Sequence, residues 1–166
     1  MAAPPRLTRR TFTLSALGVG SAYALAACQD GGRGHPAPTP QDPDAALLRA
    51  VLAAEEETLA LCRKVAHEHR PLRHVLAQPE RFHAQHVHLL EGGVTAPVKT
   101  HRPHVPPATA AALAAVVAAE HRLVREHAHW SMQARSGEVA RLLAGLSAAA
   151  AQQAQVLGAV RPGSLP

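Results

Sequence analysis

Residues 45–69 read AALLRAVLAAEEETLALCRKVAHEH, and within them Leu48, Leu52, Glu55, Leu59, Cys62, Ala66 and His69 recur at alternating spacings of four and three. That spacing lines side chains along one face of an α-helix, whereas a half-buried strand alternates every second residue. No stretch of the chain alternates in that way. The pattern predicts a helix from about Pro43 to His69, stopped at Pro71, whose ring removes a donor and clashes with the preceding turn.

Three further helical patterns follow. A short piece through Leu72 and Leu76 leads to a second helix that uses Pro79 in its first turn and runs to about Glu91, with Phe82, His86, Leu89 and Leu90 facing inward. Gly92 and Gly93 end it, and Pro97, Pro103, Pro106 and Pro107 make residues 94–107 a crossover loop. A third helix starts near Pro107 or Ala108 and reaches about Arg135 on the stripe Leu113, Val117, Glu120, Val124, His127, Ser131 and Ala134. Ser136 and Gly137 break it. A fourth runs from Glu138 to about Val160, with Leu142, Leu146, Ala149, Gln153 and Val156 or Leu157 on one side. Four such helices with two short connections and one longer one predict an all-α fold, an antiparallel four-helix bundle over residues 45–160 with a tail at 161–166.

Ahead of the helices stand Arg9 and Arg10, an uncharged run from Phe12 to Ala27, and then Cys28. The run is shorter than the ~20 apolar residues that span a bilayer, so it reads as the hydrophobic part of a signal. A twin-arginine pair before such a run is an export address. Leu25-Ala26-Ala27-Cys28 resembles the lipobox of bacterial lipoproteins, which implies cleavage before Cys28 and a lipid on its sulfur. Residues 1–27 are thus expected to be the signal peptide. Residues 28–44, rich in Gly and Pro without hydrophobic periodicity, are expected to be a disordered tether behind the lipidated cysteine.

The formal charge of +5 at pH 7 owes three of its arginines, Arg6, Arg9 and Arg10, to the leader. With aromatic residues at 2 % of the chain there is little to stack on a base, and no basic stripe, so nucleic acid is not an expected partner. Cys62 is the one cysteine left after lipidation, so a disulfide framework is not expected; on a core stripe it reads as a small buried hydrophobe. A nucleophile elbow, a phosphate-cradling loop and a Cys-x-x-Cys pair are all missing from the sequence.

The polar members of the helical stripes carry the chemistry. Burying a lone carboxylate is costly unless it is paired or bound to a cation, and carboxylates facing imidazoles in a bundle core invite a metal. Glu55, His86, Glu120 and His127 occupy such positions, although the run Glu55-Glu56-Glu57 leaves open which carboxylate faces inward. All 12 histidines lie beyond the leader, several in His-x-His or His-x-x-His pairs, a density that fits a metal-buffering surface.

The segments TLALC (58–62), HRPL (69–72), FHAQHVHLL (82–90), AAE (118–120) and SAAAAQQAQ (147–155) resemble the ferritin-like domain of secreted bacterial lipoproteins. Ferritin-like sites take a Glu from each of two helices and Glu-x-x-His from each of the other two. Carried over position by position, the resemblance makes Glu55 or Glu56 and Glu120 the single glutamates. His83-x-x-His86 fills the first Glu-x-x-His slot with its acid replaced. The second slot falls on Gln152-x-x-Gln155, where both ligand types are gone, so di-iron oxidase chemistry is not inherited. A mononuclear site of Glu55 or Glu56, His83, His86 and Glu120 remains, of a composition that suits Zn, Fe or Mn.

The expectation is therefore a lipoprotein on the extracytoplasmic face of the cell membrane, displaying a degenerate ferritin-like bundle as a non-enzymatic structural or interaction module. The alternative is a metal-binding envelope protein with a mononuclear His/Glu site or a histidine-based buffering surface. The expected partners are the membrane, through the lipid on Cys28, and the twin-arginine translocase during export.

Overall fold

The computed structural model describes residues 43–94 and 97–161, all within the second of the two units into which the chain divides, residues 35–166. Arg9, Arg10 and Cys28, with the signal and most of the tether, lie outside the described residues. Among those described there are four α-helices and no strand: α1 (Ala45–Glu68), α2 (Arg73–Glu91), α3 (Thr109–Gln133) and α4 (Gly137–Gly158), with a 3₁₀ turn at Arg70–Leu72. None of these helices is long and apolar enough to cross a membrane.

Helix α1 buries every member of the stripe read from the sequence, Leu48 through His69. It closes where Pro71 enters the 3₁₀ turn. Helix α2 departs from expectation at its start: it begins at Arg73, so Pro79 sits inside the helix and not in its first turn. An internal proline costs one backbone hydrogen bond and about 3 kcal/mol. Opposing that cost are Leu72 and Leu76, both fully buried, which the early start carries into the core. The register they set, Leu76, His83 and Leu90 at intervals of seven, turns Leu89 outward. That residue, expected to face inward, is 53 % exposed, and His83 takes the buried place.

The crossover loop is tied down by His69, itself buried at the end of α1. Its Nε2 lies 3.0 Å from the Pro106 carbonyl and its Nδ1 lies 3.2 Å from Thr109 Oγ1. Because a carbonyl only accepts, Nε2 carries a proton and donates to it, while the threonine hydroxyl pairs with Nδ1. Helix α4 opens on a serine cap, with Ser136 Oγ accepting from the Glu138 and Val139 amides. Asp44, the last residue of the expected tether, is buried, and its carboxylate accepts from the Arg135 and Ser136 amides at 2.9 and 2.8 Å. The start of α1 is thereby fastened to the turn between α3 and α4.

Helix α1 packs most extensively on α2, α3 on α4, and α1 also packs on α3. The apolar core comes in two parts. One gathers Cys62, Val65 and Ala66 of α1, Leu72, Leu76, Val105, Ala112, Leu113 and Val116, and Leu157 of α4. The other gathers Leu48, Val51 and Leu52 of α1, Leu90 of α2, and Leu143 and Leu146 of α4, with Trp130 and Ala134 against them. Along α1, α2 and α3 the residues between these two parts include buried Glu55, His83, Glu120 and His127. A polar layer interrupts the core at mid-bundle.

Candidate metal centre

Three helices supply this layer. Glu55 comes from the middle of α1, His83 and His86 from the middle of α2 one turn apart, and Glu120 and His127 from α3 two turns apart. Glu55 is 1 % exposed, His83 2 %, and Glu120 and His127 are fully buried; the His86 side chain, at 15 %, is the most accessible.

His83 is the hub. Its Nδ1 lies 2.6 Å from Glu55 Oε2 and its Nε2 lies 2.9 Å from Glu120 Oε1. The Nδ1 of His86 approaches the same Glu55 oxygen at 3.3 Å. On the other side of that carboxylate, His127 Nε2 stands 3.5 Å from Glu55 Oε1, within ion-pair distance yet without a hydrogen bond. The second oxygen of Glu120, Oε2, is buried without a hydrogen-bond partner, and neither ring nitrogen of His127 makes a well-formed hydrogen bond, the nearby Leu146 backbone favouring charge on that ring only weakly. Leaving a buried polar atom unpaired costs about 1–3 kcal/mol.

The electrostatics follow from the packing. Burial pulls the Glu55 carboxyl upward, but hydrogen bonds from His83 and His86 and the charges of those rings overcome it and hold the group at about 2. Burial likewise opposes charge on His83, and the bonds to Glu120 and Glu55 outweigh it, lifting the imidazole to about 9. At neutral pH His83 is therefore an imidazolium that donates to both carboxylates. His127 goes the other way, pushed down mainly by burial. The Cys62 thiol is pushed far up by burial, and the carboxylates of Glu120, Glu80 and Glu55 add to the effect.

Of the residues singled out from the sequence, Glu55, His83, His86 and Glu120 converge. Glu56 does not: it lies half-buried beside Glu91, which with burial raises its carboxyl. On helix α4 Gln152 and Gln155 are both exposed, and the buried glutamine is Gln153. Two members of the cluster lay outside the ligand set expected from the sequence. His127 was legible on its stripe, seven residues after Glu120. Cys62 stands seven after Glu55 on its own stripe, and its Sγ lies within 4.8 Å of a His83 nitrogen and a Glu120 oxygen.

Two sets of three ligand atoms thus meet around His83: Glu55, His83 and His86, and Cys62, His83 and Glu120. A surface groove lined by Arg63, His74, Gln78 and Arg81 shares no residue with either. Comparison of the chain with protein-family models, with curated proteins and with solved structures gave no match.

Proposed function

We propose that this chain is an envelope lipoprotein, exported through the twin-arginine pair Arg9 and Arg10 and held to the membrane by lipid on Cys28, whose ferritin-like bundle binds one divalent metal ion at Glu55, His83 and His86. The observation that carries the metal reading is the convergence of ligand atoms from Glu55, His83 and His86 within 4.8 Å of one another, in a buried layer where Glu120 Oε2 also lacks a hydrogen-bond partner. Native cores leave few such atoms without a partner, and a cation with its waters is the group that satisfies carboxylate and imidazole together.

The donor set fits a metal. Two imidazoles and a carboxylate around one point match the ligand types of Zn²⁺, Fe²⁺ and Mn²⁺. With an ion on Nδ1 of His83, the remaining Nε2–H donates to Glu120, the arrangement in which a metal-bound histidine is held by a carboxylate behind it. His127, beside the second oxygen of Glu55, is placed to join the ligands or to bond a metal-bound water.

An antiparallel, ferritin-like arrangement is supported by which residues share a core. The end of α1 groups with the start of α2, the start of α3 and the end of α4, while the start of α1 groups with the ends of α2 and α3 and the start of α4. Neighbouring helices running in opposite directions, with a long crossover between α2 and α3, account for that grouping.

A second reading, a bundle serving structure or interaction alone, is favoured by one observation: protonated His83 bridges both carboxylates and balances much of the layer without a metal. The two are separated by elemental analysis of the full chain after Zn²⁺, Fe²⁺, Mn²⁺ and Cu²⁺ are each offered. Near-stoichiometric metal that disappears in the His83→Ala, His86→Ala double variant establishes the metal site. Absence of bound metal together with an unchanged melting temperature leaves the structural module.

A further inference from the structure

Resting on that metal reading, we propose that Cys62, His83 Nε2 and Glu120 form a second seat for the ion, taken by thiophilic cations in place of the Glu55–His83–His86 seat. Three observations carry it. One ligand atom from each of the three residues lies within 4.8 Å of the other two, and all three residues are buried. Glu120 is fully buried and its Oε2 has no hydrogen bond, so this carboxylate has unspent ligand capacity next to the thiol. His83 presents a different nitrogen to each carboxylate, Nδ1 toward Glu55 and Nε2 toward Glu120.

The exclusivity follows from imidazole chemistry. A neutral ring has one lone pair for a metal and one N–H to donate. With the ion at Nδ1, the Nε2–H bonds Glu120; with the ion at Nε2, the Nδ1–H bonds Glu55 across the short 2.6 Å contact. Either tautomer gives a histidine backed by a carboxylate, so one ring serves two seats and one ion at a time. Ligand softness makes the selection. A thiolate favours Zn²⁺, Cd²⁺ or Cu⁺, while imidazole with carboxylate also accommodates Mn²⁺. On coordination the Cys62 S–H and His83 Nε2–H bonds break, metal–sulfur and metal–nitrogen bonds form, and both protons leave to buffer.

The test uses the full chain with Cd²⁺ and Mn²⁺ as probes. Cadmium should bind once per chain with a near-ultraviolet thiolate-to-metal absorption, and should displace Mn²⁺ one for one, followed by manganese electron paramagnetic resonance. Cys62→Ala should abolish the absorption and weaken Cd²⁺ by about tenfold or more, leaving Mn²⁺ affinity within about twofold. Cys62→Ser, closer in volume, should do the same, with far-ultraviolet circular dichroism reporting the fold. Cadmium binding without the thiolate absorption, or Cd²⁺ and Mn²⁺ bound together, would overturn the second seat while leaving the first. If neither ion binds, the metal reading itself is wrong and the seat falls with it. Thiolate absorption that grows in as Cd²⁺ displaces Mn²⁺ from the unaltered chain supports the second seat, and displacement without it overturns the seat, even if both cysteine variants unfold.

Discussion

Nδ1 of His83 lies 2.6 Å from Oε2 of Glu55, a contact between residues 28 positions apart on different helices, closed over by two apolar half-cores. Removing one partner of such a pair leaves the other as an uncompensated buried charge, which is far costlier than replacing the pair by apolar groups. The contact is thus a sensitive point of the fold as well as the proposed binding centre.

Glu55→Gln should abolish stoichiometric metal binding, because an amide oxygen is a feeble ligand and the neutral side chain no longer balances His83. Glu56→Gln, one position on, should leave binding unchanged, since Glu56 stands apart from the cluster beside Glu91. Metal content of the two purified variants separates them. Equal losses in both would mean that the inward carboxylate has been misassigned.

The pH dependence of the metal-free chain has a sign set by His83. Its folded value of about 9 lies above the ordinary 6.5, so the stabilisation is complete below about 6.5 and is lost as pH rises through about 9. A loss on the order of 1–3 kcal/mol between pH 7 and pH 10 is expected from urea unfolding in the presence of chelator. Glu55 adds the acid limb: its value of about 2 lies below the ordinary 4.5, so its contribution holds above 4.5 and fades as pH falls toward 2. A His83→Gln variant that retains the full alkaline loss would refute the assignment.

Asp44→Ala should cost about 1.5–3 kcal/mol, since a buried carboxylate accepting two backbone N–H bonds is lost and two amides are left unpaired. Chemical denaturation measures it. The loss should be recovered only in part by Asp44→Asn, which keeps one acceptor oxygen.

Leu76→Ala should cost about 2–5 kcal/mol through lost burial and a cavity in the half-core that also holds Cys62 and Leu72. Leu89→Ala, more than three turns along the same helix but facing solvent, should shift stability by no more than about 0.5 kcal/mol. Thermal melts of the pair check the register of α2, and a reversed order would show that register to be wrong.

Cys28→Ala should release the protein from membranes into the soluble fraction, because a leader of this length does not span a bilayer. Retention of the variant in the membrane fraction would end the lipid-anchor proposal.

Much of the fold was legible because α1 is strongly periodic: all seven positions of its stripe are buried. Glu120 and His127 were legible on α3 for the same reason. What misled was α2, where Pro79 pointed to a late start. Proline punctuates a sequence locally, but two fully buried leucines ahead of it outweighed the lost hydrogen bond and rotated Leu89 out and His83 in. Gln152 and Gln155, aligned with a ligand slot by resemblance, proved exposed, because α4 presents Ala150, Gln153, Ala154 and Leu157 to the core.

Periodicity is a property of one helix at a time, and by itself it determined that there are four helices, roughly where each runs, and that carboxylates and imidazoles interrupt their buried faces. Only the tertiary structure decided that Glu55 and not Glu56 enters the core and that His83 stands between two carboxylates. The same packing brought Cys62 and His127 to the cluster. Those facts depend on the rotation of each helix against its neighbours, which is fixed by how leucines in two separate half-cores fill common space and is written in no single stretch of chain.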